Sequence, residues 1–387
     1  MWENRLFSLV ITTLLVLSIA YSITPNFVRG NNGTMLYVGG SGPGNYTTIQ
    51  SAINESSEGY TIFVYNGIYY ENVNIDKSIN LIGEDKNKTI IDGGETNSII
   101  YVSSDSVNIS GFTIKNSGKE WRYNGGTAYY YIKGGDNDAG IHLSFYNSTS
   151  ITDNIITDNL VGISLCFSHN NIINNNTIKE NKCDGIASVY STNNTINHNT
   201  ISSNTIGIYL EYTANNAIHH NTIEDNTHVG ISFEFSTSTT INHNAITDNS
   251  NVGIYLYSSD KNTIYSNNFI NNTSLTNHTQ QAYDNRNNSW DKGYPSGGNY
   301  WDDYTGIDGD GNGIGDIPYN ISGGIIQDRY PLMKAILVET GEEDRGDNGG
   351  IPGFEMLLFI IASISLIMIK RKKNKFPTSQ SQSQVNQ

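Results

Sequence analysis

The sequence predicts an all-β fold: a single-stranded, right-handed parallel β-helix of 22–23 residues per coil, with a short N-terminal capping helix and a C-terminal transmembrane helix. Three observations carry this. The first is a period: Gly-Ile pairs open at Gly140, Gly162, Gly185, Gly207, Gly230 and Gly253, at intervals of 22, 23, 22, 23 and 23 residues. A fixed period in this range marks a chain built from stacked repeats. The second is a set of columns on the same beat. Isoleucine recurs at 151, 173, 196, 218, 241 and 264, and again at 156, 178, 201, 223 and 246, closed by Phe269; asparagine recurs at 154, 176, 199, 221, 244 and 267, and at 159, 181, 204, 226, 249 and 272. The third is the pattern inside one unit. Ile208-Tyr209-Leu210-Glu211-Tyr212 alternates as a strand does, and Ile and Thr then fill two shorter runs that each end at an asparagine. Three strands and three bends per coil leave the isoleucines stacked in the core and the asparagine amides stacked from coil to coil. A right-handed crossover is the expected hand.

In chain order, residues 1–24 read as a secretory signal, one arginine followed by the apolar run Leu6 to Tyr21, with an uncleaved anchor as the alternative. Asn31 to Asn45 is Gly-rich and reads as a disordered stretch or a short lead-in. Thr48-Ile49-Gln50-Ser51-Ala52-Ile53 has a Thr cap and apolar spacing that predict a short helix covering the open end of the stack. Residues 30–139 then hold three or four irregular coils and an inserted loop, 116–138, with Trp121 and the run Tyr129-Tyr130-Tyr131. Regular coils occupy 140–285 and a C-terminal cap 286–335. An acidic linker at 336–350 leads to an apolar span at 351–373 that closes on Lys370-Arg371-Lys372-Lys373, with a polar tail at 374–387. That span is long enough to cross a bilayer, and its basic end places the tail inside and the repeats outside the cell.

The net charge is −15, and Gly140 to Asn272 contains no arginine. A nucleic-acid partner, which needs a basic face, is therefore not expected. Cys166 and Cys183 are offset in the repeat and read as free thiols. Sequons at Asn45, Asn108, Asn147, Asn272, Asn277 and Asn320 would be open to glycosylation in an exported chain.

Four groups of residues point to chemistry. Counting from each repeat glycine, Glu211 and Glu234 are outward neighbours on successive coils, beside Tyr209, Tyr255 and Tyr257. Paired carboxylates suit a retaining glycosidase, and tyrosine rings, with Trp121 in the inserted loop, suit carbohydrate. A solvated or calcium-binding acidic strip is the plain alternative. His198, His220 and His243, with His219 beside them, form a column whose imidazoles could hold copper or zinc, although Asn-His-Asn is also ordinary turn sequence. Asp308, Asp310, Asn312, Ile314 and Asp316 match the opening of a calcium loop, but Tyr319 stands where its bidentate Glu would be. Tyr300, Trp301 and Tyr304 read as cap core.

The repeat columns, with Gly67-Ile68-Tyr69, Glu71-Asn72-Val73 and Leu81-Ile82-Gly83, resemble the NosD-type β-helix family, whose members also match the carbohydrate-binding and sugar-hydrolase repeat domain. Gly298 to Pro318 is similar to the ending of archaeal members, so the resemblance spans roughly residues 36 to 335. Pro352-Gly353-Phe354-Glu355 with the following span resembles the PGF-CTERM sorting signal, which implies an archaeosortase and a lipid anchor; the tail is longer than that pattern, so a plain membrane anchor stays open. Fold likeness leaves function to the site. Three readings stand: a cell-surface protein that binds an extracellular polysaccharide or builds surface structure without catalysis, a polysaccharide hydrolase or lyase using Glu211 and Glu234, and a copper-binding accessory protein.

Overall fold

In the computed structural model, which describes residues 34–119, 138–272 and 281–338, the repeat columns become the strands of three parallel sheets. They wind into a right-handed β-solenoid of about nine turns. Sheet I holds nine strands from Val73–Ile75 to Ala282–Asp284, among them the six-residue strands Ala139–Ser144, Val161–Cys166, Asp184–Val189, Ile206–Glu211, Val229–Glu234 and Val252–Tyr257. Sheets II and III hold ten strands each, from Met35–Val38 to Thr263–Tyr265 and from Gly67–Tyr70 to Tyr300–Trp301. Pairing follows the columns: Ile151 lies beside Ile173, Ile173 beside Ile196, and Ile163 beside Ile186. These isoleucines are buried, each contributing about 1.5–3 kcal/mol of apolar burial.

Helix α1, Ile49–Glu55, closes the N-terminal end. Its N-cap Thr48 accepts the Ser51 amide at 3.2 Å, and the Glu71 carboxylate takes the Ile49 and Gln50 amides at 2.7 and 3.0 Å. Ile49, Ala52 and Ile53 enter the core. Of the stretch 31–45, read as disordered or a short lead-in, the described part is not disordered: Met35–Val38 pairs in parallel with Thr61–Val64 and starts sheet II. At the other end Trp301 pairs beside Phe269 and stacks on it at 4.3 Å, so it extends the second isoleucine column, with Trp290 and Tyr319 packed around it. Trp301 is thus cap core, as its sequence context implies. The cap reaches one residue further than expected, since Ile336 still exchanges hydrogen bonds with the Asn268 side chain at 2.8 and 2.9 Å.

Both asparagine columns are ladders. Along most of their length Oδ1 accepts the backbone amide and the Nδ2 of the preceding coil's asparagine, as Asn199 does from Asn176 at 2.9 and 3.0 Å. The structure adds a third ladder that the periodicity did not reveal, through Asn171, Asn194, Asn216, Asn262 and Asn288.

Among the described residues no helix is long and apolar enough to cross a membrane. The expected signal at 1–24, the span at 351–373 with its sorting motif, and Trp121 lie outside the described residues.

Candidate functional site

The bend between sheets II and III repeats one dihedral. Asp153, Asn175, His198, His220, His243 and Ser266 each sit at φ between 51° and 57°, a left-handed region that Asp, Asn and His enter more easily than most residues. The fixed bend sets the three histidine rings parallel along the axis, at 5.0 Å and 11° between His198 and His220 and 5.0 Å and 7° between His220 and His243. The expected three-histidine site is therefore not assembled in this conformation. Nitrogens bound to one ion at 2.0–2.1 Å lie at most about 4.2 Å apart, so translation-related rings at this spacing cannot share one. Among the described residues no three His, Cys, Asp or Glu side chains gather to hold a metal.

The pair that does meet is His219 with His220. His219 lies on the strand Ala217–His219, in register with Asn197 and Asn242, and stands edge-on to His220 with the two Nδ1 atoms 3.0 Å apart. It is also edge-on to His198 at 6.2 Å. Burial, then His220, His198 and His243, push His219 down to about 4, and burial followed by His220 lowers His243. The His243 Nδ1 is buried without a hydrogen-bond partner. His219 and His243 are thus biased toward the neutral ring, the protonation state a metal ligand needs.

Sheet I brings together the acids and tyrosines as the spacing predicts, but not as a solvated face. Glu211 lies beside Glu234, and Tyr209 beside Ser232 and then Tyr255. The Tyr209 ring is buried, so it offers no sugar platform. Its hydroxyl engages both carboxyls; burial, then Glu234, pushes Glu211 up to about 7, and burial raises Glu234. Tyr255 stacks on Tyr283 at 4.8 Å and lies parallel to Tyr257 at 6.4 Å. Ala139, Val161, Ile206, Val229 and Val252 make a second apolar cluster on this outer side, together with the free, buried Cys166 and Cys183. Sequence reasoning missed a neighbouring column: Phe145, Phe167, Tyr190, Tyr212 and Phe235 stack at 4.9–5.0 Å. All five stand five residues after a repeat glycine, so the signal was there to read. Rings stacked this closely turn edges, not faces, to solvent.

One acid interrupts the apolar column of sheet I. Asp184 pairs beside Ile206, is buried with Oδ1 unbonded, and is pushed up to about 7 by burial alone. Below about pH 4 it is protonated folded or unfolded; between about 4 and 7 the folded chain keeps a proton the unfolded chain has lost, so stability falls as pH rises and then levels off. Glu211 acts in the same sense. Urea midpoints should drop from about pH 5 to about pH 8, and Asp184→Asn should flatten that drop; an unchanged slope in the variant would exclude Asp184 as its source.

In the cap loop the carboxylates turn to their own backbone. Asp308 accepts the Gly311, Asn312 and Gly313 amides at 2.8–3.1 Å, Asp310 accepts Asn312, and Asp316 accepts Gly309. Backbone amides, that of Gly313 first, hold the Asp308 carboxyl below the usual range.

Fold and site together define a right-handed parallel β-helix with a histidine cluster on one bend. Residues 102–306 match the family described as periplasmic copper-binding protein (NosD), and the chain belongs to that family. No curated protein matches it. Among solved structures it is similar to XylC in complex with xylose, at 14% identity and a TM-score of 0.51 over 66% of this chain and 70% of that one. It is also similar to the Azotobacter vinelandii mannuronan C-5 epimerase AlgE6 A-module, at 16% identity and 0.44 over 58% and 71%. Pectate lyase Pel9A gives 13% and 0.47 over 67% and 77%. At these identities the likeness is one of fold.

Proposed function

We propose that this chain is an exported copper-binding β-helix, led across the membrane by residues 1–24 and held outside it by 351–373, and that copper is taken at the His219–His220 pair. The observation that carries the reading is the meeting of two Nδ1 atoms, hydrogen-bonded at 3.0 Å, inside a patch of four histidines, in a chain of a family named for copper binding. Imidazole suits copper, and copper lies at the top of the divalent affinity order. His219 and His220 would be the ligands, and His198 and His243 would hold the His220 ring in place. Bound copper would supply a soft cation for carriage or transfer.

The test uses a variant the fold already accepts. Asn occupies the His219 position in the neighbouring coils, at 197 and 242, and the His220 position at 175. Equilibrium dialysis of the full chain against copper should show saturable binding that falls at least about tenfold in His219→Asn, His220→Asn. Equal binding by the double variant would overturn the assignment.

The second reading is non-catalytic carbohydrate binding on the outer side of sheet I, favoured by the row of Tyr255, Tyr257 and Tyr283 beside two carboxyls. A retaining hydrolase needs one carboxyl ionised and open to the sugar. Here Glu211 is buried and both acids are raised, which favours holding a hydroxylated chain over cutting it.

A further inference from the structure

The repeat places a left-handed residue at each bend that enters sheet II: Ser148, Asn170, Asn193, Asn215, Ser238 and Lys261, at φ between 57° and 58°. Asn and Ser are the economical choices there, since short polar side chains tolerate this conformation and a long alkyl chain gains nothing from it. Lys261 breaks the column in the last regular coil, where the backbone faces the cap. Its ammonium is exposed and has no acidic partner among the described residues. All six positions share this left-handed backbone, so what sets Lys261 apart is its charge, for which the column itself gives no reason.

The reason lies beside it. Lys261 and Thr263 form one wall of a cavity of about 300 Å³; Asn287 and Ser289 form a second, and Gln327 and Arg329 of the cap a third. The Arg329 guanidinium is held flat by Asp291, whose side chain is 1% exposed, through Nε and Nη2 at 2.9 and 2.7 Å. That pairing leaves the remaining N–H groups of an exposed arginine to other partners. Lys292 lies close by, over the Tyr265 ring at 4.3 Å. In a chain of net charge −15, with three lysines and no arginine across its regular repeats, cations are thus concentrated where the last coil meets the cap. Asn262, Asn288, Trp290 and Asp291 complete the lining; Asp291 is already engaged by Arg329, the amides and hydroxyls match a ligand with several hydroxyl groups, and the volume is larger than a bare oxyanion needs.

We propose that this cleft is a binding site for an acidic sugar residue, its carboxylate taken by Lys261 and Arg329 and its hydroxyls by Thr263, Asn287 and Gln327. The site is separate from the histidine cluster and does not depend on copper.

Lys261→Asn tests it cleanly, because it returns the bend to the residue found at 170, 193 and 215 and should leave folding intact. Calorimetric titration of the full chain with galacturonate and with its short oligomers should show saturable binding that weakens with salt. It should also fall at least about tenfold in Lys261→Asn, the worth of one charge-assisted hydrogen bond. Tighter binding of oligomers than of monomer would identify a polymer as the source, and equal binding a free sugar acid. The proposal fails if the methyl-esterified oligomers bind as well, if inorganic phosphate competes as effectively as galacturonate, or if Lys261→Asn binds like the parent chain. Arg329→Gln, checked by circular dichroism, should weaken binding again; unaltered affinity in a folded Arg329→Gln would remove the arginine from the site.

Discussion

Asn204→Ala should cost about 3–5 kcal/mol, a large share of the 5–15 kcal/mol that holds a typical domain. Asn204 Oδ1 accepts the Asn181 amide and Asn181 Nδ2, both at 3.0 Å, while its Nδ2 donates to the Ile178 and Ser202 carbonyls and to Asn226 Oδ1 at 3.0–3.2 Å. Truncation orphans a buried amide, a buried carbonyl and one amide proton of Asn181, and water cannot replace them where these groups are about 1–2% exposed. Asn204→Asp separates the two halves of the amide: the acceptor survives, but an oxygen now faces the Ile178 carbonyl. It should not restore stability. Denaturant unfolding would give the loss, and hydrogen exchange at the Asn181 amide would show whether it is local, as a one-dimensional stack implies. A cost under about 1 kcal/mol would mean that coil stacking, not the ladder, holds this bend.

What could be read from the sequence follows the same logic. Gly, Ile and Asn recur at a nearly fixed step because one spatial constraint repeats, so sheets and register were legible to the residue. The third ladder was not, because Thr239 interrupts it and its last step, from Asn262 to Asn288, leaves the 23-residue beat. The same break hid Asn299 and Trp301, which continue the Asn267 and Phe269 columns after the period has ended. The site was legible only as a list of columns. Sequence spacing shows which rings stack, and stacked rings are a poor chelate; the meeting of His219 with His220 depends on a turn angle that spacing does not contain. Alternation likewise marks Tyr209 as outward from the core, but only the structure shows that this outer side is itself covered.

Gly207→Ala separates two reasons for glycine that the repeat could otherwise confuse. The residue is not among the glycines at positive φ, so dihedral freedom does not explain it. Space does: a Cβ here would come within 2.5 Å of the Gly230 carbonyl oxygen, 2.8 Å of Ile223 Cγ2 and 3.0 Å of Asn226 Nδ2. Gly162 and Gly185 meet their successors' carbonyls in the same way, at 2.4 and 2.7 Å. Relief would require neighbouring coils to separate beyond the roughly 4.8 Å that strand hydrogen bonding allows, or the ladder asparagine below to move. Gly207→Ala should therefore destabilise by about 3 kcal/mol, the upper end for overpacking. Gly44→Ala is the counterpart: its φ is +89° and nothing lies within 4 Å, so only the left-handed penalty of about 1–2 kcal/mol applies. Thermal and urea unfolding of the two variants should rank Gly207 well above Gly44. If Gly44→Ala proved the costlier, the glycine column would reflect chain flexibility instead, and close approach of the backbones would no longer explain why each coil opens with glycine.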